Sequence, residues 1–205
     1  PKRDPFYEQR VVKTAEEVRY IEAAQRATEQ AVAAAHDMLR QASINKDQLW
    51  LEGVPLTSER VKKLINVTLM ECDCVAQHTI VAGGEQACDP HNEGSGPLSA
   101  HRSIIFDVFP RSATNRYFAD MSRTVVRGTP SPELKRLYKT VLDAQEEAIT
   151  KIKDGADGKR IHQGICARFE KAGYQTGLVN GRMQGYFHGT GHGVGLDIHE
   201  MPRIS

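Results

Sequence analysis

Between residues 18 and 39 the apolar positions Val18, Ile21, Ala24, Ala27, Ala31, Ala35 and Leu39 advance in steps of three and four, a helical period with alanine at its centre. Side chains this small let a partner approach closely, so the segment predicts a long helix packed tightly against a sheet or a second helix. Its start is marked by Thr14-Ala15-Glu16-Glu17, a capping box in which the Thr hydroxyl and the Glu17 carboxylate satisfy amides that the first turn leaves open. A second helix is expected from Thr57 or Ser58 to about Glu71, with Val61, Leu64, Ile65 and Leu69 inward.

Residues 75 to 82 and 103 to 126 change character, with more β-branched and aromatic side chains and turn signals between them. They read as strands. Ser103 to Phe109 and Tyr117 to Val126 flank Pro110 to Arg116, so they are expected to be two arms of a hairpin with a longer loop. Helices then return. Ser131 is the expected cap and Pro132 the first turn of a third helix, with Leu134, Leu137, Tyr138, Val141, Ala148 and Ile152 as its stripe and Gly155 as its end. A fourth helix, from about Gly158 to Ala172, carries Ile161, Ile165 and Phe169 and closes at Gly173; a strand region begins near Gln184. The order helix, helix, strands, helix, helix, strands predicts an α+β fold built from a duplicated unit, the second short of strands.

With 205 residues, 27 basic and 26 acidic side chains and a net charge of +1, the chain can bury a sizeable core and has no block of one charge. No nucleic-acid or membrane partner is expected. No apolar run approaches the roughly 20 residues that span a bilayer, and the Pro1-Lys2-Arg3-Asp4 start lacks the apolar stretch of a signal peptide, so the chain reads as soluble and cytoplasmic. Cys72, Cys74, Cys88 and Cys166 are too few and too unevenly spaced for a disulfide scaffold. Cys72-Asp73-Cys74 lacks the second ligand pair of a structural zinc site and reads as ordinary buried thiols. Asn66-Val67-Thr68 fits a glycosylation triplet but falls inside the second helix.

Two carboxylates, Asp107 in Ile104-Ile105-Phe106-Asp107-Val108-Phe109 and Asp120 in Tyr117-Phe118-Ala119-Asp120-Met121, stand in strand-like apolar surroundings where a charge without a partner is costly. A hairpin centred between Ala113 and Thr114 places them directly opposite, about 4.5–5.5 Å apart, in reach of one cation or a bridged pair. Two unrelated aspartates on a solvated strand face are the alternative, against which the depletion of Asp in strands weighs. A second cluster, from Phe187 to Glu200, holds His188, His192 and His199 among Gly189, Gly191, Gly193 and Gly195. Glycine lets the backbone approach a ligand closely and adopt positive φ. Leu196, Asp197, Ile198 and His199 alternate like an ordered strand, against the alternative of a glycine-rich loop with incidental histidines. A mixed Asp and His donor set points to manganese, cobalt, iron or zinc.

Phe106-Asp107, Asp120-Met121-Ser122-Arg123-Thr124, His188-Gly-Thr-Gly-His192-Gly-Val-Gly and His199-Glu200-Met201-Pro202, in this order, resemble the Xaa-Pro aminopeptidase and prolidase branch of the pita-bread metallopeptidases, relatives of methionine aminopeptidase. The opening Arg10-Val11-Val12-Lys13-Thr14-Ala15-Glu16-Glu17 is similar to the start of that catalytic domain, so the resemblance covers nearly the whole chain. It implies a pita-bread fold over residues 1–205. It also implies two divalent metal ions, with Asp107, Asp120 and His192 as ligands, Asp120 shared by both metals and His192 bound to one. His91 and His199 would be catalytic, His188 would line the pocket beside a proline ring, and Asp197 and Glu200 would not be ligands. His101 has no counterpart and is expected to pack or lie exposed.

The activity implied is hydrolysis of the first peptide bond of a peptide whose second residue is proline, by a water activated between two metals, in a protein that could form a homodimer. The resemblance also implies two further glutamate ligands beyond the His-Glu-x-Pro segment, C-terminal strands, and often a preceding N-terminal domain. Against that pattern the chain reads as an incomplete catalytic domain, inactive as given. The competing reading is a non-catalytic binding module on the same fold, and a third is the metal-free creatine hydrolase relative; Asp107, Asp120 and His192 argue against both.

Overall fold

A computed structural model describes residues 8–205; the Pro1-Lys2-Arg3-Asp4 start lies outside the described residues. The chain divides into two compact units. Residues 12–131 with 194–198 form the first, and residues 8–11, 132–193 and 199–205 the second.

In the first unit helix α1 (Ala15–Gln41) begins at Thr14 with the expected capping box: the Thr14 amide donates to Glu17 Oε2 at 2.7 Å and the Glu17 amide to Thr14 Oγ1 at 3.3 Å. Ala24, Ala27, Ala31, Ala35 and Leu39 of the stripe are buried, joined by Thr28 and Val32; Val18 at its start is exposed. Thr28 satisfies its hydroxyl by donating to the Ala24 carbonyl. Three short antiparallel strands follow, β1 (Ser43–Asn45), β2 (Gln48–Leu51) and β3 (Val54–Pro55), where the sequence reading expected none. Their signal lay in Lys46-Asp47 and Glu52-Gly53, two-residue turns in which both residues adopt positive φ, the conformation that matches the twist of a hairpin. Helix α2 (Ser58–Glu71), capped by Thr57, buries Val61, Ile65 and Leu69 against α1. Leu64 is half-buried. Asn66 accepts from the Thr79 hydroxyl at 2.8 Å, a packing role for the residue of the glycosylation triplet.

The strand expected over 75–82 is two: β4 (Cys74–Val75) and β5 (Ile80–Gly83). The hairpin arms are β6 (Ile104–Val108) and β8 (Met121–Val125), and β7 (Arg111–Ser112) between them pairs with β4. Strand β6 is central in an antiparallel sheet of order β5-β6-β8. Its Ile104, Phe106 and Val108 are fully buried, on the face towards α1. Beside β5, Gly94 adopts φ +77°, and a Cβ there would lie 1.9 Å from the Val81 carbonyl oxygen. Only glycine fits that approach.

In the second unit α3 (Pro132–Lys151) and α4 (Gly158–Lys171) pack together, and α4 packs on β12 (Glu200–Ile204). Asp157 caps α4, and Ile161, Ile165 and Phe169 are buried as the period required. The α3 stripe is a correction. Ala148 is buried, together with Ala144, but Tyr138, Val141 and Ile152 are about half exposed and Leu137 is 39% exposed, because the packed seam runs along the small residues of the helix. A hairpin of β9 (Gly177–Val179) and β10 (Arg182–Gln184) turns at Asn180-Gly181, both with positive φ, ahead of the expected strand region. The last pair is β11 (Gly191–Gly193) with β12. Residues 196–199, read as a strand from their alternation, are bends, and the strand itself starts at Glu200. Among the described residues no helix is long and apolar enough to cross a membrane.

Two measurements test this packing. Ala31→Leu, inserted into a fully buried seam, is expected to lower stability by about 1–3 kcal/mol in urea unfolding, whereas Val141→Gln on the exposed side of α3 should stay within about 0.5 kcal/mol. The second concerns acid. The Tyr117 hydroxyl, donating to Glu17 at 2.6 Å, together with the Thr14 amide and hydroxyl, holds the Glu17 carboxyl below its usual pKa of 4.5. A depressed carboxyl stabilises the fold fully above its unfolded pKa and loses that contribution as pH falls through the folded one. Tyr117→Phe should therefore bring the acid unfolding midpoint to higher pH, as followed by circular dichroism.

Candidate functional site

The two aspartates come from adjacent arms of the β6–β8 hairpin, but in a different register from the one expected. Asp107 pairs with Ser122, not with Asp120. The reason is the loop. Ser112 and Tyr117 close it through the Ser112 amide and the Tyr117 carbonyl, Arg116 turns the chain at φ +73°, and Arg111 bridges to Phe118. The hairpin is therefore centred between Thr114 and Asn115, one residue beyond the expected centre, which moves every cross-strand partner by two. Because side chains alternate with a period of two, a shift of two preserves the face. Tyr117, Ala119 and Met121 are buried while Phe118, Asp120 and Ser122 point the other way, the side on which Asp107 lies. Asp107 and Asp120 are thus diagonal neighbours on one half-exposed face, a relation that separates residues by roughly 7–8 Å.

Neighbouring groups orient both. Ser122 Oγ donates to Asp107 Oδ1 at 2.7 Å, and the Asp120 amide approaches Gln25 Oε1 on α1 at 3.4 Å. Ser122 is a contributor that the sequence reading passed over, although it stands two residues after Asp120 in the motif. His91, in the same unit, is exposed in a turn where its amide donates to Asp89 Oδ1 at 2.9 Å. That turn leads to Glu93, whose carbonyl accepts the Val81 amide of β5.

The remaining histidines belong to the second unit. His192 lies in β11, opposite Arg203, and its ring meets that of His199 edge to face with centroids 4.3 Å apart. His192 Nδ1 is 3.0 Å from the Gly193 carbonyl. A carbonyl only accepts, so that contact places the proton on Nδ1 and the lone pair of the neutral ring on Nε2, the arrangement a metal-ligating imidazole uses. His188 is exposed ahead of β11. None of Gly189, Gly191, Gly193 and Gly195 adopts positive φ, which corrects one reason given for them. The other reason holds at Gly193. The β11–β12 register shifts there, and a Cβ would lie 2.4 Å from the Met201 carbonyl oxygen. Glu200, 9% exposed, forms an ion pair with Arg10, and the Asp197 carbonyl accepts the Gly195 amide.

The donor chemistry suits a divalent cation in part: two carboxylates on one face and an imidazole in the right tautomer. Among the described residues, however, no group of three or more His, Cys, Asp or Glu side chains is arranged to hold a metal ion. The structure brings Asp107 to Asp120 in the first unit and His192 to His199 in the second. The Cys72-Asp73-Cys74 segment is no such site either: Cys72 donates to Gln30 Oε1, and burial pushes the Cys74 thiol above its usual pKa. His101 Nδ1 accepts the Thr129 amide at 2.8 Å, a packing role.

Comparison with known proteins places these observations. A Xaa-Pro dipeptidase of Pyrococcus furiosus is 29% identical over 203 residues, 98% of this chain and 52% of its own length. The solved prolidase from Pyrococcus furiosus superimposes with a TM-score of 0.80 at 28% identity, covering 96% of this chain and 52% of that one. An X-Pro aminopeptidase structure from Thermotoga maritima gives 0.77 at 28% identity, with 96% and 50% covered. The chain thus spans about half the length of these relatives and has the pita-bread fold that they share. A match to the description "Metallopeptidase family M24" runs from residue 19 to residue 205, through both aspartates and the histidine-glycine segment, and so the chain belongs to metallopeptidase family M24.

Proposed function

We propose that the chain contributes to a metal-dependent aminopeptidase or dipeptidase that hydrolyses the peptide bond preceding a proline in the second position of its substrate. The observation that carries this reading is the placement of Asp107 and Asp120 on one half-exposed sheet face, oriented by Ser122 and Gln25, in a chain of this family. The printed names of its relatives, Xaa-Pro dipeptidase and prolidase, support the substrate class.

In this reading Asp107 and Asp120, through carboxylate oxygens, and His192, through Nε2, would be among the ligands of two divalent cations, manganese, cobalt, iron or zinc. Such a pair would supply Lewis acidity and lower the pKa of a bound water towards about 7. The chain's other residues position and stabilise. His91 and His199 donate hydrogen bonds to the negative charge that develops on the scissile carbonyl oxygen, and His188 lines the pocket for the proline ring. The edge-to-face packing of His199 on His192 keeps a donor beside a ligand. Ser122 holds Asp107 in one rotamer, and Gln25 ties the Asp120 backbone to α1.

The donor count sets the first expectation. Two carboxylates and one imidazole are too few anionic donors for two dications, so the 205-residue chain should bind Mn²⁺ weakly in calorimetry and show no metal-dependent cleavage of an alanyl-proline dipeptide. A protein spanning the full length of the relatives should bind Mn²⁺ tightly and cleave the dipeptide. Cleavage by the 205-residue chain alone would overturn this donor count, and a full-span protein that neither binds metal nor cleaves would favour the binding-module reading.

A division of roles among the histidines follows as well. In a full-span protein His192→Ala should lose metal affinity, whereas His188→Ala and His199→Ala should retain the metals and lose turnover, by about 10²-fold or more for the charge-stabilising His199. Metal content after dialysis, measured beside kcat, separates the two effects; equal metal loss in all three variants would show that the assignment is wrong.

A further inference from the structure

The second unit holds a polar cluster that the proposed reaction does not use. Cys166 Sγ lies 3.5 Å from His162 Nε2, one turn earlier on the same face of α4. The other ring nitrogen, His162 Nδ1, lies 2.9 Å from Thr190 Oγ1, and that hydroxyl also accepts from the Tyr186 hydroxyl at 3.0 Å. The arrangement is held from outside. The Tyr186 ring stacks on Phe169 at 4.7 Å and tilts against the His162 ring at 5.8 Å. The Tyr186 amide donates to Thr176 Oγ1, and the Thr190 amide to the Ile204 carbonyl.

We propose that Cys166 is a reactive thiol, activated by His162 and Thr190, and that it is a modification site for soft carbon electrophiles. The thiolate is the nucleophilic form of cysteine, and an adjacent imidazole that takes its proton favours it. Once protonated, an imidazole has two N–H donors. Here both have acceptors in place, the sulfur on Nε2 and Thr190 Oγ1 on Nδ1. A threonine oxygen has two lone pairs, so it accepts from His162 and from Tyr186 together. Burial holds the Tyr186 hydroxyl above its usual pKa, which keeps it a protonated donor in this relay.

With an α-halo amide the chemistry balances as follows. The thiol proton passes to His162 Nε2, and the sulfur lone pair attacks the halide-bearing carbon. The S–C bond forms while the C–I bond breaks, iodide leaves with the bonding pair, and the imidazolium returns its proton to water. The other thiols differ in setting: Cys72 donates to the Gln30 amide oxygen, Cys74 is buried, and Cys88 is exposed.

Access and activation make opposite forecasts, and that gives the test. Cys166 is half-buried and Cys88 exposed, so on access alone Cys88 reacts faster. The 205-residue chain is treated with iodoacetamide at pH 7 and the modification rate of each cysteine is read by peptide mass mapping. Cys166 should outpace Cys88 in the native chain, and the ratio should fall to about one in guanidinium. His162→Gln should slow Cys166 by about tenfold or more, and Thr190→Val by less, with Cys88 unchanged in both. A native Cys166 rate at or below that of Cys88 overturns the proposal without recourse to any variant, as does a Cys166 rate unaffected by His162→Gln in a chain with unaltered circular dichroism.

Discussion

The seam of small side chains on α1 is the constraint on which the first unit depends. Ala24, Ala27, Ala31 and Ala35 let the helix lie close to α2 and to the strands that carry the aspartates. Close approach in turn allows short polar side chains to reach across. Glu17, already occupied in capping α1, accepts from Tyr117 just after the hairpin loop, and Gln25 reaches the amide of Asp120. Larger residues along the stripe would lift the helix from the sheet and separate these pairs. The helix is thus both the floor of the core and the part that holds one arm of the hairpin in place.

The hairpin shows how tolerant such a site is to one kind of error and how intolerant to another. The hairpin of β6 and β8 is centred one residue beyond the expected position, which moves each cross-strand partner by two, because Ser112 and Tyr117 close the loop and Arg116 takes the positive φ. A shift of two leaves Asp107 and Asp120 on the same face and changes only their spacing, with Ser122 occupying the opposed position. A shift of one would have turned one carboxylate into the core beside Phe106, where a charge is costly.

In the second unit backbone contacts govern. Gly193 admits the Met201 carbonyl at the register shift between β11 and β12, and that irregularity sets His192 with His199 against it. A few residues earlier in the chain, Thr190 ties the same segment to α4 through His162. The apolar side chains of α3 play less part than their number suggests, since the buried contact runs along Ala144 and Ala148.

Much of this was written in local chemistry. The capping box at Thr14, the α1 stripe, the buried face of α4 and the α+β order follow from propensity and periodicity, which act over a few residues and so can be read from a few residues, whereas the roles of the motif residues came from the family resemblance. The small hairpins at Lys46-Asp47 and Asn180-Gly181 belong in this class too; their turn chemistry was present and was passed over. Other features depend on partners distant in the chain. Which side of α3 is buried, where the strand near residue 200 begins, the register that sets Ser122 against Asp107, and the meeting of Cys166, His162 and Thr190 are decided by which surfaces pack, and periodicity shows that a face is apolar without showing what, if anything, covers it.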